Sequence, residues 1–172
     1  MFNASHCHGV VCEDIVDRTV AAVEQAWEKM VPIRVGVGCG YEDRIMENRR
    51  LKLKNGHVAD VRRAYALPAN EEIADIGTVD PQIGVVRLDQ NDGRTVAVLC
   101  HFACHPIQGV PNGGNTADLS GIACQVIEEY SDEGTVAFFL QGCGADINPV
   151  RYRDLSAPPD AAPLGHMLGL ST

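Results

Sequence analysis

Basic side chains are in short supply: 14 lysines and arginines stand against 23 aspartates and glutamates, for a formal net charge of −9 over 172 residues. No lysine- or arginine-rich stripe is present to meet phosphates, which argues against a nucleic-acid partner. No apolar run approaches the length needed to cross a bilayer, and no signal-peptide pattern precedes Asn3. The seven cysteines are an odd number and none is spaced as CxxC, so neither a disulfide framework nor a zinc ribbon is indicated. Most are expected to be small buried apolar residues. Internal repeats and low-complexity segments are absent as well.

What remains is an ordinary soluble composition, 45% hydrophobic and 22% charged, in a chain of common domain size. Residues 1–172 are expected to form a single domain. The pattern along the chain is α/β. Val16, Val20, Val23, Trp27 and Met30 step by fours and threes, which predicts a helix over 12–30 stopped by Pro32. Ile33, Val35 and Val37 alternate with glycines as a strand. Leu51 to Val58 reads as a hairpin turning at Asn55-Gly56, and Ile83–Leu88 with Thr95–Ala103 as a second hairpin across Asn91-Asp92-Gly93. Leu119, Ile122, Val126, Ile127 and Tyr130 predict a helix over 118–131 with Asp118 as N-cap. Thr135–Leu140 is continuously apolar, the mark of a strand buried on both faces. Pro158, Pro159 and Pro163 predict a loop near the end. The expected fold is a mixed β-sheet with both helices packed on it.

Two segments carry most of the chemistry, Asn3-Ala4-Ser5-His6-Cys7-His8-Gly9 and Cys100-His101-Phe102-Ala103-Cys104-His105-Pro106. In each, histidines stand where apolar or small residues give way to glycine or proline, as at the end of a strand. Side chains of an extended chain repeat every two residues, so His6 and His8 would share one side. Neutral imidazole is a common metal ligand, and a catalytic zinc needs three protein ligands and an open position. Two such strand ends meeting in space would make a metal site. His57, in a turn, and His166, near the end, read as surface residues. A His-x-His amidohydrolase barrel is excluded by size, since such barrels need about 250 residues.

The third segment is Gln141-Gly142-Cys143-Gly144-Ala145-Asp146-Ile147-Asn148-Pro149. A glycine-rich exit from a buried strand either points backbone amides into a site, as an oxyanion cradle does, or simply makes a turn. It has neither GxGxxG nor GxxxxGK, which speaks against a nucleotide. Asp146 and Asn148, two apart, would face one pocket on an extended stretch. The plainer alternative has Asp146 capping its own turn and Asn148 stabilising a bend before Pro149.

Together these residues resemble the neutral, non-lysosomal ceramidases. His6-Cys7-His8-Gly9 is similar to that family's Thr-His-x-His-Ser-Gly, and Asn48-Arg49-Arg50 to its Asn-Arg-Ser. Phe102-Ala103-Cys104-His105-Pro106 resembles its Trp-Phe-Ala-x-His-Pro strand end, and Thr116-Ala117-Asp118 sits where it has Asn-Ser-Asp before a helix. Gly144-Ala145-Asp146-Ile147-Asn148-Pro149 resembles its Gly-Asp-x-Ser-Pro-Asn loop. The motifs keep their order from residue 3 to residue 150, over only the first part of the family's catalytic domain.

The resemblance implies a zinc-dependent hydrolase of an amide or ester, with a small-molecule or lipid-like substrate, as a truncated part of a larger catalytic domain. It places His6 and His105 on zinc-binding histidines, and His8 and Arg49 on residues lining the active site. The family's other zinc ligands, a Glu and a Tyr, come from beyond position 172. It further suggests a secreted or cell-surface parent protein. One departure changes the chemistry: Asn148 stands where the family has its serine nucleophile. An amide is no nucleophile, so the expected route is direct attack by metal-bound water, with Asn148 orienting it, Asp146 accepting a proton or fixing the loop, and Arg49 holding an anionic group or the oxyanion. The alternative is a catalytically inactive hydrolase-like scaffold that binds a ligand or partner.

Overall fold

A computed structural model describes residues 9–61, 68, 70–109, 115–150 and 160–172. The chain divides into two compact units, Met1–Pro32 and Ile33–Thr172. The first contains α1 (Gly9–Glu28), which starts earlier than its apolar spacing predicts and ends two residues sooner, with Lys29 N–H closing a last turn on Ala26.

The second unit is built on a four-stranded sheet of order β1-β6-β7-β8. Its strands are β1 (Ile33–Tyr41), β6 (Gln82–Gln90), β7 (Thr95–Phe102) and β8 (Val136–Gln141). β1 and β6, and β6 and β7, pair antiparallel, and the expected hairpin joins β6 to β7 through Gly93 at φ 95°. β8 is parallel to β7, reached through α2 (Asp118–Glu129). The sheet is therefore mixed, because only a crossover helix returns the chain in the same direction. α3 (Ala162–Ser171) lies against α2.

Register decides which side chains meet the helices. Val85 pairs with Cys100, and Cys100 with Phe139, so all three point to one face. Val98, Cys100 and Phe102 of β7 pack there against Leu119, Ala123 and Ile127 of α2 and Leu168 of α3. Phe102, Ile83, Leu119 and Leu168 are fully buried. Each such side chain contributes about 1.5–3 kcal/mol relative to exposure. α3 comes close enough to α2 that a Cβ at Gly165 would sit 2.5 Å from Ile122, and one at Gly169 2.6 Å from Val126. Larger residues there would force the helices apart.

Two smaller sheets complete the unit. β3 (Arg50–Leu53) lies between β4 (Val58–Asp60) and β5 (Ile73–Ile76), which includes the hairpin expected at Asn55-Gly56. β2 (Met46–Asn48) pairs with β9 (Ile147–Pro149).

The structure departs from the sequence reading in several places. β8 is an edge strand with only its helix-facing side covered: Val136, Phe138 and Leu140 are 47%, 51% and 44% exposed. Continuous apolarity therefore did not mean burial on both faces. Asp118 is the first residue of α2 rather than its N-cap; the N-cap is Ala117, which makes no side-chain cap bond. Pro163 sits in the first turn of α3, where a missing N–H costs nothing, and not in a loop; Pro158 and Pro159 lie outside the described residues. Cysteine usage is mixed. Cys12 is disulfide-bonded, Cys100 and Cys104 are buried thiols, and Cys39 and Cys143 are exposed ones.

Candidate functional site

β9 is where the candidate residues meet. In the β2–β9 pair, Glu47 faces Asn148 and Asn48 faces Ile147, and the ladder continues as Arg49 N–H donates to the Asp146 carbonyl at 2.8 Å. The Asn48-Arg49-Arg50 segment is thus zipped along Asp146-Ile147-Asn148. From the other side, His105 N–H donates to the Ile147 carbonyl at 3.0 Å. Arg49, Asp146, Asn148 and His105 are brought together by backbone hydrogen bonds. His6 and His8 lie outside the described residues.

His105 sits just past the end of β7. Its ring Nδ1 lies 3.1 Å from the same Ile147 carbonyl oxygen. A carbonyl only accepts, so Nδ1 carries a proton, and in the neutral ring Nε2 is then the nitrogen with the lone pair. Metal-ligating histidines are commonly held in this way, which fixes both tautomer and ring orientation.

Asn148 is only 2% exposed. Its Nδ2 donates to the Val61 carbonyl at 3.3 Å, while its Oδ1 is buried and has no hydrogen-bond partner among the described residues. Of its two polar ends, the amide commits the donor and leaves the acceptor. The site therefore has an acceptor at 148, in a strand and not in a bend before Pro149.

Arg49 is largely buried, and its Nε lies 3.1 Å from Asp60 Oδ1, an ion pair without hydrogen-bond geometry at Nε. Asp60 already balances its charge. Asp146 is held at its carboxylate by Asn48 Nδ2 at 3.4 Å, with Arg50 Nε at 3.9 Å. Asn48, to which the sequence pointed only as part of a motif, is the centre of this corner. It is 8% exposed, and besides Asp146 its side chain engages the Thr78 carbonyl at 3.0 Å and the Arg50 N–H at 2.9 Å. An asparagine beside two arginines was the only signal for it.

The glycine loop does not form an amide cradle from its glycines. Gly142 N–H donates to Phe102 O at 2.9 Å, Gly144 N–H to Gly142 O at 2.7 Å and Ile147 N–H to Gly144 O at 2.9 Å. The loop is a tight turn laid on the end of β7; a Cβ at Gly144 would sit 2.9 Å from Gln141 Nε2 and 3.4 Å from the Cys104 backbone. His57 and His166 are exposed, the first in its hairpin turn and the second on α3. A cavity of about 600 Å³ opens elsewhere, lined by Val85, Arg87, Ile127, Tyr130 and Leu170 among others, and includes none of the candidate residues. Among the described residues no group of three or more His, Cys, Asp or Glu is placed to hold a metal ion, and no helix is long and apolar enough to cross a membrane.

No family model matches the chain, and no curated protein does. Among solved structures, the neutral ceramidase from Pseudomonas aeruginosa is similar with a TM-score of 0.66 and 22% identity, over 91% of this chain and 24% of that one. A structure described as ceramidase complexed with C2 is similar with a TM-score of 0.67 and 21% identity, again over 91% and 24%. The chain thus has the fold of a ceramidase portion, and it spans about a quarter of the length of the structures it matches.

Proposed function

We propose that this chain forms part of a zinc-dependent hydrolase acting on an amide or ester bond of a small-molecule or lipid-like substrate, with water and not a side chain as the nucleophile. The observation that carries the reading is the buried Oδ1 of Asn148, unpartnered among the described residues; that the family has its serine at this position is what the sequence resemblance implies. Buried acceptors without a donor are rare and call for a ligand or an ordered water.

His105 fits one corner of a zinc site, because Nδ1 is engaged by Ile147 and Nε2 is left to bind. His6 is proposed as the second imidazole, with His8 beside it for proton transfer. Zinc, when bound, would supply Lewis acidity toward the scissile carbonyl and toward water. Asn148 Oδ1 would accept a proton-bearing bond from the attacking water and so aim its lone pair. Arg49 would place its planar fork on the developing oxyanion, with Asp60 holding the guanidinium in orientation. Asp146, held by Asn48, would fix the turn that carries Asn148.

The test is hydrolysis of N-acyl and ester substrates in ¹⁸O-water, followed by mass spectrometry of product and protein. The reading expects ¹⁸O in the released acid, no acyl adduct on the protein, loss with chelator and recovery with zinc. An acyl adduct on a side chain such as Cys143 would overturn the water route. The same lack of a nucleophile at 148 favours a second reading, a scaffold that binds such a ligand without turnover. Saturable binding with no released acid would select it.

A further inference from the structure

Asp118 is the only non-glycine residue at positive φ among the described residues, at 54°. That backbone region is disfavoured for residues with a Cβ, and aspartate enters it mainly when its short carboxylate can bond nearby backbone. Asp118 is only 3% exposed. Its Oδ1 takes the N–H of Leu119 at 2.7 Å, which serves the start of α2. Its own N–H goes to Thr116 Oγ1 at 2.9 Å. The remaining bond is not local: Oδ2 takes the N–H of Gly109 at 2.6 Å.

Gly109 follows His105 on the connection that leaves β7. At the near end, His105 N–H and ring Nδ1 both engage Ile147 of β9. Within the loop, Ile107 N–H returns to the His105 carbonyl at 3.0 Å. At the far end, Gly109 is pressed against the carboxylate, and a Cβ there would lie 3.3 Å from Asp118 Oδ2 and 3.2 Å from Thr116 Cγ2. A helix start needs only the Leu119 bond. The strained backbone and the reach to Gly109 are explained by the loop.

We infer that Asp118 is a positioning residue for His105: by gripping Gly109 it fixes the loop that keeps the His105 Nδ1 proton on Ile147 and the Nε2 lone pair free. The inference rests on the reading of His105 as a metal ligand, and its first readout does not require metal. The ¹⁵N shifts of the His105 ring report the tautomer directly.

Asp118→Gly accepts the left-handed backbone but removes both carboxylate bonds, whereas Asp118→Asn accepts it and retains an acceptor. In Asp118→Gly the Nδ1-protonated tautomer should lose its dominance, and Co²⁺ affinity should fall about tenfold or more, the usual effect of disturbing a ligand's support. Asp118→Asn, with one amide oxygen for the two N–H donors of Leu119 and Gly109, should restore part of both. In the unaltered protein, the amides of His105 and Gly109 should exchange through one shared opening. Folded Asp118→Gly with an unchanged ring signal, or unlinked exchange of those amides, would overturn the inference. Absence of any His105-dependent Co²⁺ binding in the unaltered protein, with the tautomer still responding to Asp118, would instead sink the ligand reading and leave the positioning role standing.

Discussion

His105 directs two protons to one acceptor: its backbone N–H and its ring Nδ1–H both meet the Ile147 carbonyl oxygen, at 3.0 and 3.1 Å. Ile147 lies between Asp146 and Asn148, so the imidazole is tied to the strand that carries the other candidate groups. Any shift of β9 moves the histidine with it. This bond occupies Nδ1 and not Nε2.

Removing that nitrogen gives the first expected outcome. His105→Ala should lose zinc relative to the unaltered protein, while His166→Ala, an exposed substitution on α3, should not. Elemental analysis after gel filtration checks it. Equal zinc in all three proteins would remove His105 from the site.

Asn148 carries a stability signature as well as a chemical one. Asn148→Ala leaves the Val61 carbonyl without its donor inside the unit. The expected cost is about 1–3 kcal/mol in urea unfolding. Asn148→Ser installs a hydroxyl at the same strand position, and an acyl adduct should then become detectable where the parent shows none. A Ser variant that turns over without an adduct would mean that position 148 does not reach the reacting carbon.

The Arg49–Asp60 pair is partly buried, with side chains 17% and 32% exposed. Arg49→Lys keeps the charge and loses the fork, so hydrolysis should fall while the fold persists. Asp60→Asn should weaken activity less than Arg49→Ala, because it alters the orientation of the guanidinium and not its presence. A double-mutant cycle on stability should give coupling of roughly 0.5–3 kcal/mol, as for residues in contact. Additive effects would show the pair to be independent.

Acid sensitivity is expected at Glu42. This carboxylate is 1% exposed at the end of β1 and accepts from Arg44 N at 2.9 Å, Arg44 Nε at 2.8 Å and Ser171 Oγ of α3 at 3.0 Å. The bond from Arg44 holds its carboxyl below the ordinary value of 4.5, overcoming the opposing effect of burial. A depressed folded pKa means stability that is present above the unfolded value and lost as pH falls through the folded one. Urea unfolding of Glu42→Gln should therefore show its largest deficit near neutral pH, and the deficit should shrink below about pH 4.5 as both proteins become uncharged at this site. A deficit independent of pH would assign Glu42 a purely packing role.

The cysteines supply a reactivity check. Cys100 and Cys104 are buried with thiols pushed up by that burial, to about 12 for Cys104. The thiolate is the reactive form, so neither should be alkylated in the folded protein. Iodoacetamide should label exposed Cys39 and Cys143 first. Early labelling of Cys104 would contradict the placement of the His105 strand end.

Much of this architecture was readable because its signals are local. The β6–β7 hairpin follows from alternating apolar residues on either side of Asn91-Asp92-Gly93, and α2 from the spacing of Leu119, Ile122 and Val126. α3 was missed because glycines at 165 and 169 occupy its contact with α2 and blur the helical period. β2 and β9 were missed because three residues carry no period at all. The open face of β8 was misjudged because apolarity records what a strand can bury, while its edge position records what covers it.

By itself the sequence determined the alternation of strands and helices and the segments in which the candidate residues lie. Those are properties of side-chain volume, polarity and turn preference within a few neighbours. Only the tertiary structure decided that Asn48 and Asp146, 98 positions apart, meet where β2 ends and β9 begins, and that Arg49 faces Asp60. It alone decided that Asn148 spends its donor on Val61 and keeps its acceptor, and that His105 binds Ile147 through Nδ1. These choices rest on backbone carbonyls from distant segments. Every residue type carries the same carbonyl, so its position is set by chain topology and leaves no mark in the order of side chains.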